Sequence, residues 1–257
     1  MQNRKKNIKL SALVVAHNEE KNLDACLSNL KLADEIVVVL DKTNDNSKEI
    51  AKKYTKNIFE GSWEFEGERR NFGLKVCKGE WILEVDADEE VSKKLFSEIK
   101  STIRLANPGY FLIPFNNFIG NKKIKYGWGA SWGVSSAPRL SFKGCKKWNN
   151  SQRIHPSLTL RGIKGQLKSG INHFVDNDIN DMLDRLKVYS DKKATDIISN
   201  NESIPPFYII IRKSVTRFIK CYFSRKGYKE GKWGFLIALM ASLFILVSYL
   251  KAILEKK

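Results

Sequence analysis

The chain has 257 residues, 45 Lys and Arg against 28 Asp and Glu, and a formal charge of +17. That length accommodates one large α/β domain with an appendage, and the charge calls for an anionic partner: nucleic acid, phospholipid headgroups or a phosphorylated substrate. Four cysteines, Cys26, Cys77, Cys145 and Cys221, lie far apart without C-x-x-C spacing, which argues against a zinc site, a redox pair or a disulfide framework. Acids and bases nearly balance over residues 1–101, so the basic excess belongs to the second half. The polar, basic first nine residues carry no apolar h-region or small-residue cleavage site, and the catalytic part is expected to stay in the cytoplasm.

Residues 10–16 form a short apolar run suited to a buried parallel strand, and Leu23, Cys26, Leu27 and Leu30 follow at helical spacing, with Asn18 as the expected cap. A β-branched run at 36–40 is followed by Asn46 and Glu49, the pattern of a capping box before the helical Ile50, Ala51 and Tyr54. Ile58 and Phe59 make a third strand, residues 67–77 a helix, and residues 81–85 a fourth strand ending in Asp86-Ala87-Asp88-Glu89. Ser92 then caps a helix carrying Leu95, Phe96, Ile99 and Ile103. A strand at 110–115 leads to a hairpin at Gly120-Asn121 and a Gly/Trp-rich stretch at 126–133, and residues 181–199 are helical. Pro205-Pro206 marks the boundary to the tail.

Strands alternating with helices predict an α/β fold, a mostly parallel sheet with helices on both faces, whose ligand crevice lies beyond the carboxyl ends of the strands. Three acidic clusters converge there: His17-Asn18-Glu19, Asp41, and residues 86–89. Several carboxylates in one crevice favour a bound divalent cation that bridges a diphosphate and stabilises charge on a leaving group. Asp86 and Asp88, at i and i+2 past a strand, can present two carboxylates to one ion; the alternative is an acidic loop capping the next helix.

The runs Leu13-Val14-Val15-Ala16-His17-Asn18-Glu19-Glu20, Ala33-Asp34-Glu35-Ile36-Val37-Val38-Val39 and Gly79-Glu80-Trp81-Ile82-Leu83-Glu84-Val85-Asp86-Ala87-Asp88-Glu89 resemble glycosyltransferase family 2 in order and spacing. Within it, the chain looks most like the lipopolysaccharide inner-core β-1,4-glucosyltransferase branch. This likeness continues through Arg139-Leu140 and His155 to residues 227–254. The resemblance implies a GT-A fold, a UDP-sugar donor with glucose favoured, Mg2+ or Mn2+, inversion by direct displacement, and a lipid-linked glycan acceptor. By motif position it implies Ala16, His17 and Glu19 around the nucleoside, Asp41 on the base, Asp86 on the ribose or diphosphate, Asp88 with Asp86 at the metal, and Arg70 and Asn71 facing the diphosphate. Arg139 is carried over to the acceptor side.

The branch usually has a glutamate after the histidine matched by His155, whereas this chain has Pro156. The base is therefore His155 or a carboxylate such as Glu89, and an inactive scaffold is the third reading that Pro156 keeps open. Trp128 and Trp132 either stack on an acceptor sugar or pack their subregion. A dehydrogenase reading fails because the first strand lacks a glycine-rich turn. A nucleic-acid reading lacks a recognisable motif, and the bases concentrate beside apolar helices.

Residues 234–250 carry no charge, yet as a helix they reach only about 25 Å against a hydrocarbon core of about 30 Å, so the tail either lies in the interface or extends past Lys251 to span. Residues 207–222 have the composition of a basic interfacial helix suited to anionic lipid. The expected organisation is a nucleotide-sugar half at 1–115, an acceptor-side part at 116–200 and a membrane tail at 201–257, on the cytoplasmic face of a bacterial inner membrane.

Overall fold

β1 (Leu10–Ala16) is the strand around which the first half is arranged, with β2 (Glu35–Asp41) parallel on one side and β4 (Trp81–Val85) parallel on the other. β3 (Ile58–Gly61) extends the parallel set beyond β2. These details come from a computed structural model that describes residues 9–129, 133–150, 156–200 and 202–255. Beyond β4 the direction changes: β8 (Ser136–Phe142) runs antiparallel to β4, and β6 (Gly109–Ile119) antiparallel to β8. The sheet is therefore mixed, where periodicity led us to expect a mostly parallel one. β7 (Lys122–Ile124) folds back on β6 through the expected turn, with Gly120 at a φ of 53°.

The two-residue period of the strands sorts their side chains onto two apolar layers. Leu10, Ala12, Val14 and Ala16 pack with Leu83, Val85 and the inward residues of α1 (Leu23–Asn29) and α4 (Lys93–Leu105). Leu13, Val37, Val39 and Ile82 pack on the other face against Phe72, Leu74 and Val76 of α3 (Glu66–Val76). Helices thus cover both faces, as expected. Ser92 caps α4, accepting the Leu95 N–H at 3.2 Å. Two expected caps are not formed. Asn18 stands at a left-handed φ of 54°, accepts the Asn44 N–H at 2.9 Å, and leaves α1 to begin at Leu23. In α2 (Ser47–Lys52), Asn46 makes no side-chain cap, and Glu49 bonds Lys52 instead.

The described residues fall into two compact units, one from residues 9–115, 136–150 and 156–173, the other from 116–129, 133–135, 174–200 and 202–255. The segment 116–200, expected as one acceptor-side part, is divided between them. The first unit also holds a ribbon of β9 (Lys146–Trp148) and β10 (Leu158–Leu160), with β11 (Ile163–Gln166) parallel to β6. β12 (Ile171–Asp176) pairs antiparallel with the short β5 (Glu89–Glu90), setting His173 opposite Glu89. In the second unit, α7 (Lys232–Leu254) packs on α5 (Ile179–Ser199) and α6 (Phe207–Ile219). Ser214 Oγ donates to Ser242 O at 2.8 Å and Ser242 Oγ to Ser214 O at 3.0 Å, which ties α6 to α7. At 23 residues α7 is longer than the uncharged run suggested, about 34 Å. It is long and apolar enough to cross a membrane, consistent with a peripheral or single-span association.

Gly67, in the first turn of α3, lies so close to the residue that follows β9 that an added Cβ would stand 1.8 Å from the Asn149 carbonyl oxygen. Gly67→Ala is expected to destabilise the chain by roughly 1–3 kcal/mol through overpacking against backbone, read as a lower urea midpoint with an unchanged slope.

Candidate active site

The carboxyl ends of β1, β2 and β4 carry the acidic clusters to one edge of the sheet. Past β4 the chain closes a tight turn: the Glu89 N–H donates to Asp86 O at 3.0 Å, and the Asp86 N–H to Glu89 Oε2 at 2.9 Å. Both Asp86 carboxylate oxygens meet guanidiniums, Oδ1 with Arg70 Nη2 at 3.0 Å and Oδ2 with Arg139 Nη2. Arg139 Nη2 also reaches Glu89 Oε1 at 2.5 Å, under the ring of Phe115. Burial alone would raise the Asp86 carboxyl, but Arg139 and Arg70 outweigh it and hold Asp86 well below the usual carboxylate range. Glu89 is pushed up to about 7 by burial, with Arg139 opposing and Asp86 adding to the rise. Arg139, expected on the acceptor side, is thus buried and engaged with two carboxylates.

Arg70 is held from behind. Its Nε donates to Glu66 at 2.8 Å, and its guanidinium lies 4.9 Å from the Trp148 ring. The Trp148 indole N–H donates to Glu84 Oε1 at 2.9 Å, and buried Lys146 pairs with the other oxygen of Glu84. Burial lowers the Lys146 ammonium to about 8 against the pull of Glu84. Asn71, expected at the diphosphate, bonds the Trp148 backbone in both directions at 2.9 Å and so pins β9 to α3.

Asp88 stands at the mouth of this array. His173 Nε2 is 3.4 Å from Asp88 Oδ2, and the ligand atoms of Asp88, Glu89 and His173 all lie within 4.8 Å of one another. Burial pulls the His173 pKa down, but the hydrogen bond and charge of Asp88 outweigh it, so the imidazole holds its proton more firmly than usual. One imidazole beside carboxylates suits Mn2+ better than Mg2+, so the residues fit the expected metal. His173 was not among the residues singled out from sequence. Its one signal was scarcity, as one of three histidines in the chain.

The residues expected around the nucleoside are also brought together. Buried Ala16 ends β1, and exposed His17 donates from Nδ1 to Asp41 O at 2.7 Å. Asp41 is buried, accepting the Trp63 N–H at 3.0 Å and pairing with Arg69 at 3.0 Å. Burial raises the Glu19 carboxyl, a bond from Asn22 opposes this, and the charges of Asp88 and Asp86 add to the rise, so the first and third acidic clusters share one field. Trp128 is buried in the second unit among Met182, Ile237 and Met240, with its indole N–H on Ile124 O at 2.7 Å. His155 and Trp132 lie outside the described residues.

The fold and this edge define a class. The family model described as glycosyl transferase family 2 matches residues 11–157, more than half of the chain, and the chain belongs to that family. An uncharacterized glycosyltransferase of Rickettsia bellii is 24% identical over 256 residues, covering 90% of this chain and 82% of the relative. The lipopolysaccharide core biosynthesis glycosyltransferase LpsC of Rhizobium meliloti is 22% identical, covering 94% of this chain and 91% of LpsC. Among solved structures, residues 1–349 of S. aureus TarS in complex with UDP-GlcNAc match with a TM-score of 0.52 at 17% identity, covering 97% of this chain and 82% of TarS 1–349. The fold is accordingly GT-A-like, and the chain is a nucleotide-sugar glycosyltransferase with a candidate metal-binding cluster.

Replacing Arg139 by Gln leaves Asp86 and Glu89 buried as neighbouring like charges, and stability is expected to drop by roughly 3–5 kcal/mol. In wild type Glu89 protonates at about 7 even though Arg139 pulls it down, so without Arg139 it takes up its proton at a higher pH, which relieves the repulsion. The deficit in chemical denaturation should therefore grow as pH rises above about 7 and stay level below it.

Proposed function

We propose that this chain is a metal-dependent, inverting glycosyltransferase that moves a hexose, with glucose favoured, from a UDP-sugar to a lipid-linked glycan of the lipopolysaccharide-core type at the cytoplasmic face of a bacterial inner membrane. The observation that carries the reading is the pairing of Asp88 with His173 beside the doubly neutralised Asp86. LpsC, named for lipopolysaccharide core biosynthesis, supports the acceptor class, TarS in complex with UDP-GlcNAc supports a uridine donor, and α7 supports membrane association.

Asp88 and His173 would hold the divalent ion, which would supply charge to offset that on the departing diphosphate. Asp86, expected as a second metal ligand, has both carboxylate oxygens engaged by Arg70 and Arg139, so its part is to fix those guanidiniums and offer its outer edge to the ribose. Ala16, His17, Glu19 and Asp41 shape the nucleoside side, with Arg69 holding Asp41 in place. In the displacement, the acceptor hydroxyl oxygen forms the new bond to the anomeric carbon while the bond to the diphosphate oxygen breaks with its electron pair. The hydroxyl proton passes to a base. Of the two candidates, Glu89 has one oxygen on Arg139 and the other on the Asp86 N–H, so its use as base requires release of Arg139.

Calorimetric titration with UDP, GDP, ADP and CMP, with and without Mn2+, is expected to show UDP binding that depends on the ion. Asp88→Ala should abolish the metal-dependent part, and His173→Ala should weaken it by about tenfold or more. Binding of no nucleotide under any metal condition would remove the chemical basis of the reading. His173 holds its proton to higher pH than ordinary, and an ion must displace it, so Mn2+ affinity should fall as the solution is acidified.

A further inference from the structure

We propose that α6 and α7 form a headgroup-binding surface for anionic phospholipid, in which Arg212, Lys213, Arg217 and Lys220 engage the phosphates and a neighbouring apolar stripe enters the acyl layer. The proposal rests on the membrane association above and adds the residues and the lipid chemistry.

α6 has three distinct faces. Ile210 and Ser214 are buried against the rest of the second unit. Phe207, Ile211, Val215 and Ile219 follow at intervals of four residues, which turns each by about 40° from the last, and they form a stripe exposed by 58, 37, 51 and 48%. The third face carries Arg212, Lys213 and Arg217, and Lys220 follows directly after the last residue of α6. Neither α6 nor α7 contains an Asp or Glu, and among the described residues none of the four cations pairs with a carboxylate. Lys213 has only the Tyr249 ring, 5.5 Å from its ammonium. Four like charges lining one groove repel unless an anion joins them.

A groove of about 570 Å3 opens there, lined by Arg212, Lys213, Thr216, Arg217, Lys220 and Ile245. It therefore joins cations to an apolar wall supplied by α7. A soluble phosphate needs the cations but not an exposed apolar stripe. A lipid surface uses both, because headgroup phosphates meet the guanidiniums and ammoniums while the stripe leaves water. Arg212 and Arg217 add forked donors suited to phosphate oxygens.

The test is flotation of the full chain with phosphatidylcholine vesicles and with vesicles also containing phosphatidylglycerol. Wild type is expected to prefer the anionic vesicles, with the preference shrinking at high salt. The combined variant R212Q/K213Q/R217Q/K220Q should lose about tenfold or more in affinity for them while keeping its affinity for phosphatidylcholine and its circular dichroism. The variant K56Q/K93Q/K94Q/K164Q, with the same charge change at exposed lysines of the first unit, should stay within about twofold of wild type because its charges lie off this surface. Equal loss in both variants, an unchanged α6 variant, or release of the chain by millimolar glycerol 3-phosphate would overturn the proposal. Wild type that binds both vesicles alike would overturn the headgroup site and leave membrane association standing. Binding to neither would overturn the association itself.

Discussion

A single guanidinium, that of Arg139, joins Asp86 to Glu89 across the turn that follows β4. Each carboxylate removed from water costs several kcal/mol unless an opposite charge and hydrogen bonds replace the lost hydration. Here Arg139 and Arg70 supply the charge, and the Asp86 N–H satisfies the second oxygen of Glu89. The turn keeps its shape only with that neutralisation, and the rest of the site follows from the turn. It launches β5, β5 sets the register of β12, and that register brings His173 to Asp88.

The array behind the turn alternates in sign from Lys146 and Glu84, through the Trp148 ring, to Arg70, Asp86, Arg139 and Glu89. Alternation lets each buried charge find an opposite neighbour, and it fixes Arg70 from two sides before any ligand arrives. Such fixing is what electrostatic catalysis requires, since dipoles and charges already in place need not reorganise as the leaving group departs. Asp88 and Glu19 remain at the open edge, where their shared negative field favours a cation.

Much of this was legible in the residues. The apolar runs of β1, β2 and β4 and the acids at their ends follow from period and motif order, and the strand edge collects them as the fold class requires. His173 was hidden because it reaches the site through a two-residue strand paired with a segment far along the chain, and short-range patterns carry no information on such pairing. Arg139 and Asn71 were visible as residues but not in their contacts, since a motif position does not tell whether a side chain faces a ligand or a buried neighbour. Asn18 misled because a helix-cap residue type is also one that tolerates left-handed backbone. The length of α7 was underestimated because Lys232 and Lys251 break an uncharged run without breaking a helix.

The central claim is that Asp88 and His173, and not Asp86, hold the divalent ion. Electron spin-echo spectroscopy of Mn2+ bound to the full chain with UDP tests it directly. The account predicts a histidine nitrogen coupling in wild type that survives in Asp86→Asn and disappears in His173→Gln. A wild-type spectrum without nitrogen coupling, or a nitrogen signal that persists in His173→Gln, would contradict it.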